Sequence, residues 1–391
     1  MPGDLRADAL WRDLLGTLGS LPERVTAEPT NETEEADRLR YLLRFLRAGI
    51  ALCVEYDDSD TPALTHMIED RMSWGLDSPD CLYLYCRVRA GGTYRIAGTR
   101  GGARAIDIQV NAGHYADGRF GQWPSIGVLA GDAVSVDADG CIDVVIGGPP
   151  RDHDWFPLDE RDGFLLIRQY FGDWEHEEPG TLTIERLDGP AAAPALTLAT
   201  MAERMALLQE WLTAGARTWD EVSRGLAGAP MADIVPFTVA AGAGGLSGQA
   251  YGMGAWHCAP DEAVIVEFDL PESCRLWSVS LCDRSWQSID FADRQSSLNS
   301  AQHTPTADGR FVGAITHDDP GLANWLDPGG HTGGSFAVRF LDAEPIPTVR
   351  LRTVARATLD REVATDAPRV DADGRRAALR SRRIGVQRRY R

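Results

Sequence analysis

The sequence predicts a mainly β protein with helical additions (α+β), in which helices join two related antiparallel modules of β-sandwich or jelly-roll-like type. Three observations carry this expectation. Short β-branched and aromatic runs, separated by Gly, Asp and Pro turns, fill two stretches of the chain. A helically patterned segment precedes each stretch. The two β-rich stretches also align with each other.

Residues 1–79 read as a helical N-terminal segment. Leu42, Leu43, Phe45, Leu46, Ile50 and Leu52 form a dense apolar run, and Leu64, Met67, Ile68 and Met72 follow at helical spacing. TNETEE (30–35) supplies a helix start, with Thr30 or Asn31 ahead of glutamates. The first β module spans 80–188, with CLYLYCRV, TYRIAG, AIDIQV, CIDVVIGG, FLLIRQYF and TLTIERL as its strands. A linker and helical connector follow over 189–260, with a helix near 197–225 and a Gly/Ala-rich loop at 239–254. The second β module spans 261–355, with AVIVEFDL, RLWSVSLC, RFVGAIT, SFAVRFL and TVRLRTV. Residues 356–391 form an arginine-rich C-terminal tail, with eight arginines in its last seventeen positions.

The two modules read as copies. SIGVLAGDAVSVDADGCIDVVIGG, from Ser125, parallels SLNSAQHTPTADGRFVGAITHD, from Ser297. Ala-Asp-Gly turns at 138–140 and 307–309 match, Trp155 matches Trp325, and Arg168 falls opposite Arg339. The offset is 169 at the turn, 170 at the tryptophan and 171 at the arginine.

Composition excludes several chemistries. All 39 basic residues are arginine, so no Schiff-base, P-loop or kinase-type lysine exists. The net charge of −19 speaks against nucleic acid or an anionic membrane as partner of the body. The tail is the exception: it is either solvated or docked on the acidic body, a neighbouring subunit or a polyanion, with protein favoured. A homo-oligomer joined through the tail is one expectation. The seven cysteines are scattered, with no C-x-x-C pair, and read as structural thiols. No run of eighteen apolar residues and no signal-like N-terminus occurs, so a cytoplasmic location is expected. GGLSG (244–248) is one residue short of a nucleophile elbow, no dinucleotide fingerprint is present, and GTRGG (98–102) reads as a hairpin turn.

Four strings, TYRIAGTRGG, GGPPRDHDWFPL, RSWQSIDFADRQSSLN and HDDPGLANWLDPGGHTGG, resemble the domain-of-unknown-function 1214 family. The resemblance runs from about Asp80 to Val354 and implies a β-sandwich or jelly-roll-like architecture with packed helices. Some relatives carry a further β domain, numbered 1254, where this chain has its helical segment. The resemblance assigns no chemistry.

The densest polar cluster lies in the second copy: Asp283, Arg284, Trp286, Gln287, Asp290, Asp293, Arg294, Asn299 and Gln302, then His317, Asp318, Asp319, Asn324, Trp325 and Asp327. Such a cluster either recognises a small polar group beside an apolar ring or locks loops to a sheet. His317 is an acid–base candidate beside Asp318, or a hydrogen-bonded structural histidine. Arg151-Asp152-His153-Asp154-Trp155 holds the matching place in the first copy, but no metal-ligand spacing accompanies it. No metal and no cofactor are expected. Arg168 and Arg339 either form structural salt bridges or, for Arg339, clamp a carboxylate, sulfate or phosphate.

The leading expectation is a cofactor-independent hydrolase or lyase acting on a small molecule with an apolar body and a polar or anionic handle. His317 and Asp318 supply acid–base chemistry, and Arg284 and Arg339 hold the handle. Trp286 and Trp325 wall the pocket, which Gln287, Asn299, Asn324 and Asp327 complete. The alternatives are a non-catalytic carbohydrate or small-molecule binding protein, and an assembly protein using its tail.

Overall fold

The computed structural model describes residues 5–75, 77–119, 123–158, 160–238 and 248–390. The segment 239–247, including most of GGLSG, lies outside them. The chain begins with helices α1 (Ala7–Ser20) and α2 (Glu32–Ile50). Asn31 caps α2, its side chain accepting from the Glu34 amide, and a π turn at Ala51–Glu55 extends it.

The first module contains β1 (Thr65–Ile68), β2 (Cys81–Val88), β3 (Tyr94–Thr99), β4 (Ala105–Ala112), β5 (Ser125–Ala130), β6 (Cys141–Ile146), β7 (Trp155–Phe156), β8 (Gly163–Tyr170) and β9 (Leu182–Arg186). Helices α3 (Leu198–Glu210) and α4 (Ala216–Ala227), joined by a π turn, form the connector. The second module contains β10 (Phe237–Thr238), β11 (Gln249–His257), β12 (Glu262–Asp269), β13 (Leu276–Leu281), β14 (Ser297–Asn299), β15 (Arg310–Ile315), β16 (Trp325–Leu326), β17 (Gly333–Leu341) and β18 (Arg350–Ala355). The chain closes with α5 (Leu359–Glu362) and α6 (Ala372–Arg389).

The duplication is complete at the level of topology. Sheet orders β1-β2-β8-β4-β5 and β7-β6-β3-β9 in the first module become β10-β11-β17-β13-β14 and β16-β15-β12-β18 in the second. Adding nine to each strand number of the first module yields the second. Even the parallel exceptions correspond, β6 with β7 and β15 with β16. Each module is a two-sheet sandwich. Leu84, Ile108 and Ile167 meet Ile96, Val144 and Ile146 in the first core, and Trp256, Val279 and Val338 meet Val264 and Phe311 in the second.

Two local expectations give way. Residues 65–68, taken as helical, form β1, an edge strand that pairs with β2 through a bulge. Residues 249–254, taken as loop, belong to β11, the counterpart of β2. Gly252 and Gly254 are strand residues because Ile234 packs against them; a Cβ on Gly252 would lie 2.6 Å from the Ile234 methyl and 2.5 Å from Val338.

The outer faces of the two five-stranded sheets look toward each other. At one end they touch directly, with Cys81, Ala105 and Tyr170 against Leu276 and Leu341. At the other end the helical core wedges between them, Phe45 stacking on Trp211 at 4.3 Å and Tyr85, Phe164, Cys282 and Trp286 packing around it. The arginine-rich tail becomes α6 and docks on its own chain. Arg375, Arg382 and Arg389, one every seven residues, are buried on its inner side. Their guanidinium groups lie over Trp325 at 5.2 Å, over Trp174 at 4.6 Å, and over Phe171 at 4.9 Å. Arg382 donates to the Phe291 carbonyl, Ser297 and Gln302 in the second module, and Arg389 donates to the Pro79 carbonyl in the first. The helix therefore stitches the two modules together.

Candidate functional site

The seam between the modules is where the sequence pattern and the burial disagree. Along β4, Ile106, Ile108 and Val110 point into their own sandwich, while Asp107, Gln109 and Asn111 point the other way. Such alternation ordinarily marks a wet face. Here all three polar residues are buried, because the second module and the helices cover that face.

Arg168 on β8 stands in register between Tyr83 on β2 and Asp107 on β4. Its Nη1 donates to Asp107 Oδ2 at 2.9 Å and its Nη2 to Gln109 Oε1 at 3.2 Å. Gln109 Nε2 passes the chain on to Asn111 Oδ1 at 3.1 Å. Asp107 Oδ1 has no hydrogen-bond partner. Burial pushes the Asp107 carboxyl up to about 6, with the Arg168 guanidinium pulling the other way.

The second copy repeats the frame with one change. Arg339 on β17 stands in register between Tyr251 on β11 and Ser278 on β13. Ser278 thus occupies the place of Asp107. Arg339 Nη2 donates to the Asp77 carbonyl at 3.3 Å. Tyr83, Tyr170 and Tyr251 lie in the electrostatic reach of both arginines. Burial raises the Tyr83 and Tyr170 hydroxyls well above their ordinary range. Ser280 is buried beside this frame, its Oγ without a hydrogen-bond partner. Tyr83 and Tyr251 are half-buried.

The remaining residues singled out in the sequence are dispersed. His317 and Asp318 follow β15 at the outer edge of the second module. His317 Nε2 faces the Cys258 carbonyl at 2.9 Å and therefore donates to it. The Asp318 carboxylate is gripped by Arg356 at 2.7 Å, which holds it below its usual range. Arg284 donates to Glu34 of α2 at 3.2 Å, and Gln287 bridges Arg44 of α2 to Asp283. Trp286, in a left-handed backbone conformation with φ of 60°, is buried against Trp219.

Asn299 donates to Asp80 at 2.5 Å and to the Gly172 carbonyl, beneath α6. Asn324 closes its loop through Thr304 and the Val312 carbonyl. Trp325 donates to the Thr316 carbonyl, and Asp327 takes Arg294 and the Gly329 amide. The expected single pocket of His317, Arg284 and Arg339 does not form. Arg284 and Gln287 meet α2, Asn299 and Arg339 meet the first module, and His317, Asp318, Asn324 and Asp327 are tied to neighbours in or beside their own module. Trp286 and Trp325 are both buried and build no exposed platform.

Sequence reasoning thus reached Arg168 and Arg339 as equivalents and missed Asp107, Gln109, Tyr83 and Tyr251. The tyrosines carried a usable signal, since they stand at matched places one strand before the arginine-bearing strand of each sheet. Glycines hid β11 and with it that match. Among the described residues, no group of three His, Cys, Asp or Glu side chains is arranged to hold a metal, and no helix is long and apolar enough to cross a membrane. All seven cysteines are free thiols.

The model of a family described as "Protein of unknown function (DUF1214)" matches residues 263–345, which lie in the second module. No curated protein matches the chain. A crystal structure of an uncharacterized protein from Burkholderia cenocepacia is similar, with a TM-score of 0.84 and 27% identity, covering 91% of this chain and 99% of that one. The VPA0106 protein from Vibrio parahaemolyticus gives a TM-score of 0.46 at 10% identity, covering 86% of this chain and 100% of that one. The first likeness supports the two-module architecture along nearly the whole chain.

Proposed function

We propose that the seam binds a small organic anion, with Arg339 and Arg168 holding its charged group and Tyr83, Tyr170 and Tyr251 meeting its body. The observation that supports this is the burial of two equivalent arginines, one from each copy, on the two facing sheets, each with a tyrosine beside it in register. A guanidinium presents a planar fork that matches a carboxylate or phosphate, and a site shielded from water strengthens that attraction. The two copies differ at this register position, with Asp107 facing Arg168 and Ser278 facing Arg339, and Arg339 also acts on the buried Asp77 carboxyl. Arg339 is the residue to test first as the partner of the ligand's charged group.

A second reading, an enzyme of hydrolase or lyase type using acid–base chemistry, is favoured by one specific observation. Burial pushes the Asp107 carboxyl up to about 6, toward the range useful for proton transfer, and its Oδ1 has no hydrogen-bond partner. In that reading Asp107 takes the role first expected of His317 and Asp318. A cytoplasmic location goes with either reading, since seven free thiols suit a reducing compartment.

The test is thermal-shift and calorimetric titration of the whole protein with benzoate, phenylacetate and phenyl phosphate. At least one should raise Tm, by an amount that grows with concentration as linkage requires. Arg339→Gln should abolish that rise, whereas His317→Gln should keep it. If none of the three anions shifts Tm, or if R339Q responds like the parent protein, the seam is structural and the proposal is lost.

A further inference from the structure

We propose that the outward face of α2 is a self-association surface whose occupant is α2 of a second copy of this chain, crossing it antiparallel about a two-fold axis level with Tyr41. The inner side of α2 buries Tyr41, Leu42, Phe45 and Ala48 in the helical core. Its outer side is apolar as well: Leu39 is 62% exposed, Leu43 63% and Ile50 39%. A helix covered on one side only should carry polar residues on the other. Two large leucines one turn apart on that side therefore mark an unfilled contact, since scattered single residues need no explanation but a contiguous row does.

The charges around this row identify the partner. Glu35, Leu39, Leu43 and Arg47 are spaced by four residues and form one ridge along the helix. Glu35 and Arg47 are both largely exposed, at 63% and 52%. Glu35 lies 4.0 Å from Arg38 and Arg47 pairs with Glu69 at 2.8 Å, so a second copy would share or displace these surface pairs. The ridge is acidic at its N-terminal end, apolar in the middle and basic at its C-terminal end. Turned end for end about the level of residue 41, it complements itself. Leu39 then meets Leu43 of the other copy, and Glu35 meets Arg47 of the other copy, each contact occurring twice as two-fold symmetry demands. Ridges of this four-residue type interlock when two helices cross at about −50°, which keeps both ends of the ridge in contact. Parallel docking would set glutamate against glutamate and arginine against arginine. One helix crossing is smaller than the roughly 800 Å² per partner of a standard interface, so the dimer is weak and concentration-dependent.

Sedimentation of the full chain over a concentration series tests this. The parent protein should pass from monomer to dimer. Leu43→Glu places two facing carboxylates in the apolar centre and should weaken dimerisation by at least about 100-fold. Glu35→Arg and Arg47→Glu should each weaken it, and the E35R/R47E double variant should recover it, because the charges exchange ends. Circular dichroism checks that every variant is folded. A parent that stays monomeric at all concentrations, or a dimer indifferent to L43E, overturns the proposal. So does a double variant weaker than both of its parents.

Discussion

At the scale of single residues the two copies differ most where their arginines sit. Tyr83, Arg168 and Asp107 share one register in the first module, and Tyr251, Arg339 and Ser278 share it in the second. Asp107 keeps its proton up to about 6 because burial disfavours the anion more than Arg168 favours it. An unfolded aspartate releases its proton near ~3.9, so the folded chain binds this proton more tightly. The stabilisation is present at low pH and is lost as pH rises from about 4 to about 6, a change of about 3 kcal/mol. Carboxylates held low by arginines, such as Asp318 and Asp143, produce the opposite trend, so the useful quantity is a difference between proteins. Urea denaturation across this window should show Asp107→Asn gaining stability relative to the parent as pH rises. Parallel profiles for the two proteins would mean that folding does not raise the Asp107 carboxyl above its unfolded value. The equivalence of Arg168 and Arg339 was legible in the sequence, but the meeting of their faces was not. No local pattern encodes which side of a sheet another sheet will cover, and AIDIQVNA reads as half-wet whether or not it is.

At the scale of elements, most strands were legible because alternation and turn residues are local signals. The failures have a common cause in tertiary packing. β11 carries Gly252 and Gly254 where the segment bearing Ile234 leaves no room for a Cβ, and glycine spacing reads as loop. Docking of the tail on protein was the favoured expectation, but its seat was not legible, because the aromatic faces and carbonyl oxygens that hold α6 lie far away in sequence. Close packing along α6 gives a testable contrast between two helical glycines. A Cβ on Gly385 would lie 2.5 Å from the Trp174 carbonyl oxygen, whereas one on Gly16 in α1 would meet nothing within 4 Å. Gly385→Ala should therefore destabilise the protein by about 1–3 kcal/mol through overpacking. Gly16→Ala should stabilise it by roughly 0.5–1 kcal/mol through helix propensity. Urea midpoints moving in opposite directions would bear this out, and a G385A midpoint at or above that of the parent would show that α6 is not tightly seated.

At the scale of the whole molecule, the seam, the helical wedge and α6 bind the two sandwiches into one cooperative unit. Arg382 and Arg389 reach both modules, and the outer faces of both large sheets are buried. Neither module can expose that face without leaving polar groups such as Asp107 and Gln109 beside bare apolar neighbours. Thermal unfolding followed by tryptophan fluorescence and by far-ultraviolet circular dichroism should give coincident transitions, as a two-state chain does. Two resolved transitions would show that the modules melt independently. The repeated strand order has a consequence of a different kind. In a symmetric pair of separate chains, every substitution is made twice, so neither half can specialise. Once both halves lie on one chain, a change can be written into a single half. Asp107 can remain where Ser278 has replaced its counterpart, and a frame that began as two equal sides acquires a left and a right.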